Sequence, residues 1–170
     1  MSYSNLLVDL PGSARVWVFA AEHGLNHAQQ EALLGDVESF IPTWTSHRRR
    51  VRGAAALLAD RFLIVAATMT GEISGCGIDS MVRAVHRGAE RSGVKLASPL
   101  RVFWRTADGT VESLPRGAFR KLVRSGVVGP ETRVFDLTVP ALSNMRNGEF
   151  EKPMRTSWHA HVFRIPVEAP

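Results

Sequence analysis

The residues best suited to chemistry stand together in one glycine-rich stretch that contains the only cysteine of the chain. The stretch reads Gly71-Glu-Ile-Ser-Gly-Cys-Gly-Ile-Asp-Ser80, with Cys76 between two glycines. Glycines allow a positive φ and a close approach to the backbone, and the free N–H groups at a helix start attract anions. A thiol at a helix start is also more readily ionised. The pattern therefore predicts that Cys76 is a nucleophile or part of an anion site.

The residues around Cys76 are predicted to bind the ligand of such a site. They are Ser74, Gly75, Gly77, Asp79 and Ser80. Asp79 or Ser80 is expected either to cap the following helix or to contact the ligand. The stretch is not a phosphate-binding P-loop, because it lacks lysine and the Gly-Lys-Ser/Thr ending. A second interpretation is that Cys76 is a small buried packing residue, since free cysteine is among the most buried residue types.

Two distant segments, 44–47 and 157–159, each combine tryptophan with histidine. Catalytic cysteine–histidine pairs are defined by geometry and not by distance along the chain, so His47 or His159 could act as the base for Cys76. The segments add three ligand-binding candidates, which are Trp44, Ser157 and Trp158. Alternatively, both histidines are structural. The spacing matches no standard zinc motif, so we predict no metal and no cofactor.

Arginine is the second notable feature of the sequence. Two predicted helices each carry three arginines at intervals of four residues, which places each set on one helix face. Three consecutive arginines at 48–50 join these two sets. The full set is Arg48, Arg49, Arg50, Arg83, Arg87, Arg91, Arg116, Arg120 and Arg124. With a net charge of +5, these residues could form a surface for nucleic-acid phosphates. The favoured alternative is that they form two solvated helix faces, each opposite its apolar stripe.

The elements that must position these residues follow the order β-α-β-β-α-β over the first 105 residues. Predicted strands cover residues 15–19, 52–57, 62–67 and 100–105. One predicted helix covers residues 28–40, with Asn26 and Gln29 as a capping box. A second predicted helix runs from the glycine-rich stretch to about Arg91. This is the order of the ferredoxin-like split βαβ motif, so we predict an α+β fold with a ferredoxin-like core in residues 1–108.

Residues 109–170 are predicted to form a C-terminal α/β extension that packs on this core. The segment has a hairpin strand at 111–114, a helix at 116–123, a strand at 134–135, a short helix at 140–145 and a final strand at 158–163. It contains too few apolar residues to bury a core of its own.

Composition places the chain among ordinary globular proteins, with 170 residues, 45% of them hydrophobic and 22% charged. A single cysteine fits a reducing compartment, and the first residues lack the pattern of a signal peptide. No apolar run reaches the roughly 20 residues that span a bilayer. We therefore expect a cytoplasmic protein without a membrane partner.

Four short motifs occur in order between Arg15 and His159. They are Trp44-Thr-x-His47, Arg61-Phe-Leu-Ile, Ser74-Gly-Cys-x-Ile-Asp-Ser80 and Ser157-Trp-His159. Together they resemble a family of small uncharacterised bacterial proteins, some of which are labelled ABC transporter ATPases. The chain has no Walker motif, and it has Gly77 and Met81 where the family usually has serine. The resemblance implies that the chain is related to this family. It implies no activity, because the family has no established one.

The sequence thus favours a ligand-binding or cysteine-based catalytic site at the turn 74–80 and leaves open whether the chain is an enzyme. In an enzyme, Cys76 would be the nucleophile, a histidine the base, and the backbone amides of residues 75–78 the cradle for an anion. The alternative is a nucleic-acid-binding or ribosome-associated protein that uses its arginine-rich helix faces. The residues suggest two classes of partner, a small anionic ligand and nucleic acid. They do not identify the partner further.

Overall fold

The computed structural model describes residues 3–165, which form five α-helices, two short 3-10 helices (Ile41–Thr43 and Met154–Thr156) and three antiparallel sheets. In chain order the elements are β1 (Arg15–Ala20), α1 (His27–Phe40), β2 (Thr45–Ser46), β3 (Arg49–Arg50), β4 (Arg52–Leu58), β5 (Phe62–Thr68), α2 (Gly75–Arg91), β6 (Arg101–Arg105), β7 (Val111–Pro115), α3 (Arg116–Arg124), β8 (Arg133–Phe135), α4 (Leu142–Arg146), β9 (Glu151–Pro153) and α5 (Trp158–Phe163). Helices and antiparallel sheets together confirm the predicted α+β class. None of the described helices combines the length and the apolar character needed to cross a membrane.

The first sheet has the order β1-β5-β4, with β5 in the middle because its side chains are apolar on both faces. Successive strand residues point to opposite faces, so Phe62, Ile64 and Ala66 pack into one core. Leu63, Val65 and Ala67 pack into a second core on the other face. We call these the first core and the second core.

Helices α1 and α2 cover the second core. Asn26 and Gln29 form the predicted capping box at the start of α1, which satisfies backbone N–H groups that would otherwise lack partners. Leu33 and Val37 of α1 are buried there, as are Met81 and Val85 of α2. Both predicted helices are therefore confirmed, with boundaries within a few residues of the expected ones.

The predicted ferredoxin-like sheet is not confirmed, because its fourth strand is elsewhere. Strands β1, β5 and β4 have the antiparallel order of the first three strands of that motif. After α2 the chain returns beside β1 only for a short bridge, in which the Ala97 N–H donates to the Ala20 carbonyl at 2.8 Å. Pro99 then follows and has no N–H to continue a ladder. Strand β6 instead joins a second sheet.

The second sheet has the order β7-β6-β8-β9 and carries α3 and α5 on one side. Trp104, Phe119 and Phe163 form a third core between the sheet and these helices. The proposed boundary after residue 108 falls in the β6–β7 hairpin, so both parts supply strands to this sheet. The division into a core and an extension stays a prediction.

The predicted final strand at residues 158–163 is wrong, because these residues form helix α5. The buried residues are His159, Ala160 and Phe163, a spacing that matches one helix face, and the Ser157 hydroxyl caps the helix start. Over six residues an alternating pattern and a short helical pattern are difficult to distinguish. The correction places Trp158 and His159 on the same side of the second sheet as α3.

Candidate functional site

The glycine-rich stretch forms the start of α2. The helix begins at Gly75, and the Ser74 hydroxyl accepts a hydrogen bond from the Gly77 N–H at 3.1 Å. Ser74 is therefore the capping residue, and the expectation that Asp79 or Ser80 caps the helix is wrong. Ser80 instead donates its hydroxyl to the Cys76 carbonyl at 2.8 Å, one turn away.

The β2–β3 hairpin holds this first turn in place. The Ser46 hydroxyl donates to Ser74 Oγ at 2.9 Å and accepts from the Ser74 N–H at 2.8 Å. The fully buried Trp44 donates its indole N–H to the Gly77 carbonyl at 2.8 Å. A Cβ on Gly77 would lie only 3.1 Å from the Cβ of Ser46. Trp44 and Gly77, both predicted to bind ligand, are thus held in the contact between helix and hairpin.

Cys76 is exposed, so it is not the buried packing residue of the second interpretation. Gly75 and Asp79 are exposed beside it, and Ser74 and Ser80 are half-buried. His47 lies in the two-residue turn of the hairpin, directly after Ser46, with a φ of 49°. The structure therefore places one predicted histidine in the hairpin that packs on the first turn of α2.

His159 lies in a different part of the molecule. Its Nδ1 is 2.7 Å from the Ser157 hydroxyl, and its ring stacks on Trp158 with centroids 3.7 Å apart. The side chain is buried beside the third core, and this burial lowers the pKa of His159 to about 4. No hydrogen bond within residues 3–165 joins Cys76 to a histidine. Ser157 and His159 are thus buried, and with the half-buried Trp158 they make a neutral cluster on the second sheet.

The described residues hold no group of three or more histidine, cysteine, aspartate or glutamate side chains that could bind a metal ion. His159 lies on the second sheet, away from the first turn of α2 and the β2–β3 hairpin, which carry Cys76 and His47.

The arginines of α2 and of the hairpin are exposed, and several of them already have partners. Arg83 donates to the Ser80 hydroxyl at 3.2 Å, and Arg91 approaches the Asp36 carboxylate at 3.5 Å. Arg50 donates to the Pro42 carbonyl at 2.7 Å. Acidic residues Asp79 and Glu90 also lie on the exposed side of α2, so this face carries charges of both signs.

The arginines of α3 are in a different electrostatic situation. The helix sequence Arg-Gly-Ala-Phe-Arg-Lys-Leu-Val-Arg contains four cations and no carboxylate. Arg116 lies over the ring of Trp158 at 5.6 Å, and Arg120 lies over the ring of Phe163 at 5.9 Å. Within residues 3–165 no carboxylate lies within 4 Å of Arg116, Arg120, Lys121 or Arg124.

A cleft of about 630 Å³ lies between α3 and the end of α5. We call it the cationic cleft; it is lined by Arg120, Val123, Arg124, Val162, Phe163 and Arg164. Arg164 follows α5 with a φ of 55°. Glycine is the residue usually found in this left-handed conformation at helix ends, and here an arginine occupies it. The arginine spacing predicts the α3 row of this cleft but not Arg164 or Val162, because the pattern of residues 158–163 indicates a strand.

Comparisons with protein-family models, curated proteins and solved structures find no match for this chain. The resemblance of its motifs to a bacterial family therefore stays a prediction.

Proposed function

We propose that this chain binds nucleic acid through the phosphate groups, with the cationic cleft between α3 and α5 as the contact surface. The observation that carries the proposal is that Arg120, Arg124 and Arg164 line the cleft, and that these three and the two further cations of α3 have no carboxylate partner in the described chain. The five cations are Arg116, Arg120, Lys121, Arg124 and Arg164. Unpaired cations gathered on one face supply the sequence-independent part of nucleic-acid affinity.

The geometry favours contact with the nucleic-acid backbone over recognition of bases. Recognition of unpaired bases commonly uses exposed aromatic faces, but here Arg116 already lies over Trp158 and Arg120 over Phe163. Phe163 is itself buried. The rings instead hold two guanidinium groups across α5, which reduces the conformational entropy that the arginines lose on binding. We therefore propose affinity with little sequence preference.

The test compares two triple variants that remove the same charge. In one, Arg120, Arg124 and Arg164 are replaced by glutamine; in the other, Arg83, Arg87 and Arg91 are replaced. Binding of a fluorescent oligonucleotide is measured by anisotropy at fixed salt. The cleft variant should bind at least about tenfold more weakly, because it loses three phosphate contacts. Each lost contact should also lower the slope of log K against log salt by about 0.7 to 0.9. The α2 variant should bind nearly as well as the unaltered chain.

An equal loss of affinity in both triple variants would contradict the proposal, because it would mean that net charge alone drives binding. Binding that survives in the cleft variant would contradict it as well. Circular dichroism shows whether either variant has lost its fold.

A second candidate function is binding of a small anionic ligand at the first turn of α2, with Cys76 as the reactive group. The favouring observation is an exposed thiol on a turn that Ser46 and Trp44 hold in place. In a catalytic version, His47 is the proposed base, since it belongs to the hairpin packed on this turn.

The exposed cysteine also supports the proposed location in a reducing compartment, the cytoplasm.

Alkylation of Cys76 by iodoacetamide tests this candidate. We expect the native chain to react faster than the unfolded chain at neutral pH, and added phosphate to slow the native reaction. A native rate equal to or below the unfolded rate, unaffected by phosphate, would leave Cys76 as an ordinary surface thiol. His47→Gln should slow the native reaction only if this histidine acts as the base.

A further inference from the structure

A second cavity, of about 770 Å³, lies beside α5, and its lining includes Arg155, His161 and Arg164. Residues two positions apart on an α-helix point in nearly opposite directions. His161 lines this second cavity, whereas Phe163 lines the cationic cleft. The two cavities therefore lie on opposite flanks of α5.

The cavities meet at the C-terminal end of α5, because Val162 and Arg164 line both of them. Arg164 directly follows the helix, and within residues 3–165 no carboxylate lies within 4 Å of its guanidinium nitrogens. The cationic surface of the cleft thus continues over the end of α5 into the second cavity.

A nucleic acid with phosphates in both cavities has to turn around α5. An α-helix with its side chains is only about 10 Å wide. Duplex DNA keeps its direction over a persistence length of about 500 Å, so it can lie along one flank but does not turn around such a helix. A single strand can bend at each nucleotide and can reach both flanks.

We propose that the nucleic acid bound by this chain is single-stranded and crosses the end of α5, with phosphates in both cavities. This inference rests on the proposed function of the cationic cleft. Arg124 binds phosphate on the first flank, Arg155 on the second, and Arg164 between them. Val162, half-buried at the crossing, gives the sugars and bases an apolar contact.

One carboxylate competes with phosphate for the second cavity. Glu131 Oε1 lies 2.5 Å from Arg155 Nε, with the two side chains 73% and 45% exposed. Exposed ion pairs contribute little free energy, so Arg155 can exchange this carboxylate for a phosphate. His161 is also exposed, and a ring N–H of histidine can donate to a phosphate oxygen.

Anisotropy of one labelled strand, measured free and annealed to its complement, tests the preference at a fixed salt concentration. We expect the free strand to bind at least about fivefold more tightly, because only a flexible backbone reaches both cavities. General electrostatic attraction predicts the reverse, since each contact releases more counterion from a duplex. A duplex that binds equally well or better would overturn the inference and leave the proposed function standing. Binding of neither form would overturn both.

Three glutamine variants test whether the strand enters the second cavity. Glu131→Gln frees Arg155 and should raise single-strand affinity about two- to fourfold, and Arg155→Gln should lower it by a similar factor. Glu90→Gln on the exposed face of α2 removes the same charge as Glu131→Gln and should have a smaller effect. Equal affinities of the Glu131 and Glu90 variants would overturn the inference, as would an Arg155 variant that binds like the unaltered chain. In either case the triple variant of the cleft still tests the proposed function separately.

Discussion

At the scale of single residues, the carboxylate of Glu151 ties together three separate parts of the chain. Tyr3 donates its hydroxyl at 2.6 Å, Arg105 donates through two nitrogens at 2.7 and 3.0 Å, and Arg133 donates at 3.0 Å. Burial raises the pKa of Glu151, but the hydrogen bonds from Arg105, Tyr3 and Arg133 outweigh burial and lower it to about 2. Burial and the hydrogen bond to Glu151 raise the pKa of Tyr3.

Replacing Glu151 by glutamine should make folding less stable and less dependent on pH. Because the folded pKa of about 2 lies below the ordinary 4.5, Glu151 stabilises the fold fully above pH 4.5 and loses this effect as the pH falls toward 2. At pH 7 the variant should lose about 3 kcal/mol, since two partly buried arginines lose their charged partner.

Urea unfolding at several pH values measures this change. Glu131→Gln is the matched control, because Glu131 pairs with Arg155 while 73% exposed. If the two variants had equal stability and equal pH dependence, the role assigned to Glu151 would be wrong.

At the scale of elements, the contact between α2 and the β2–β3 hairpin depends on a glycine in the first helical turn. Gly77 is buried against Ser46 and Ile73, whereas a Cβ added to the neighbouring, exposed Gly75 would have no atom within 4 Å. The two glycines stand two residues apart on one helix and meet opposite surroundings.

Gly77→Ala should therefore destabilise the chain, and Gly75→Ala should not. The Cβ at residue 77 would meet Ser46 at 3.1 Å and Ile73 at 3.2 Å, and such overpacking costs about 1 to 3 kcal/mol. At residue 75 the better helix propensity of alanine applies without a clash. Thermal unfolding of both variants measures the difference, and equal melting temperatures would refute the packing argument.

At the scale of the whole molecule, the buried Arg61 joins the first sheet to the second. Its guanidinium donates to the Ala21 and Glu22 carbonyls beside β1 and to the Val111 carbonyl of β7, at 3.1, 2.7 and 2.8 Å. It also donates to the Ser113 hydroxyl at 3.1 Å. Burial lowers the pKa of Arg61, and its partners are neutral acceptors from both sheets.

Arg61→Lys should destabilise the chain by about 2 kcal/mol, because an ammonium group cannot reach four acceptors that a planar fork satisfies. Arg87→Lys on the exposed face of α2 is the control and should change the free energy of unfolding by less than about 0.5 kcal/mol. Chemical denaturation of the two variants provides the comparison. Equal stabilities would show that Arg61 is not the joint between the sheets.

Local signals predicted most elements, while contacts between distant residues could not be predicted. The apolar run of β5 and the Asn26 cap are readable because their causes lie within a few residues. The cationic cleft needs α5 beside α3, and no local pattern shows that 158–163 is a helix or that Arg164 follows on the same side. The bond from Tyr3 to Glu151 spans 148 positions, and nothing near either residue indicates the other.

The salt dependence of nucleic-acid binding tests the central claim most directly. Affinity of the unaltered chain for a labelled oligonucleotide is measured from low to physiological salt, with random and homopolymeric sequences. We expect the logarithm of the binding constant to fall linearly with the logarithm of salt concentration, with a slope of about −3 to −4 from four or five phosphate contacts. Different sequences should bind alike. A flat salt response, or no binding even at low salt, would contradict the assignment of the cationic cleft.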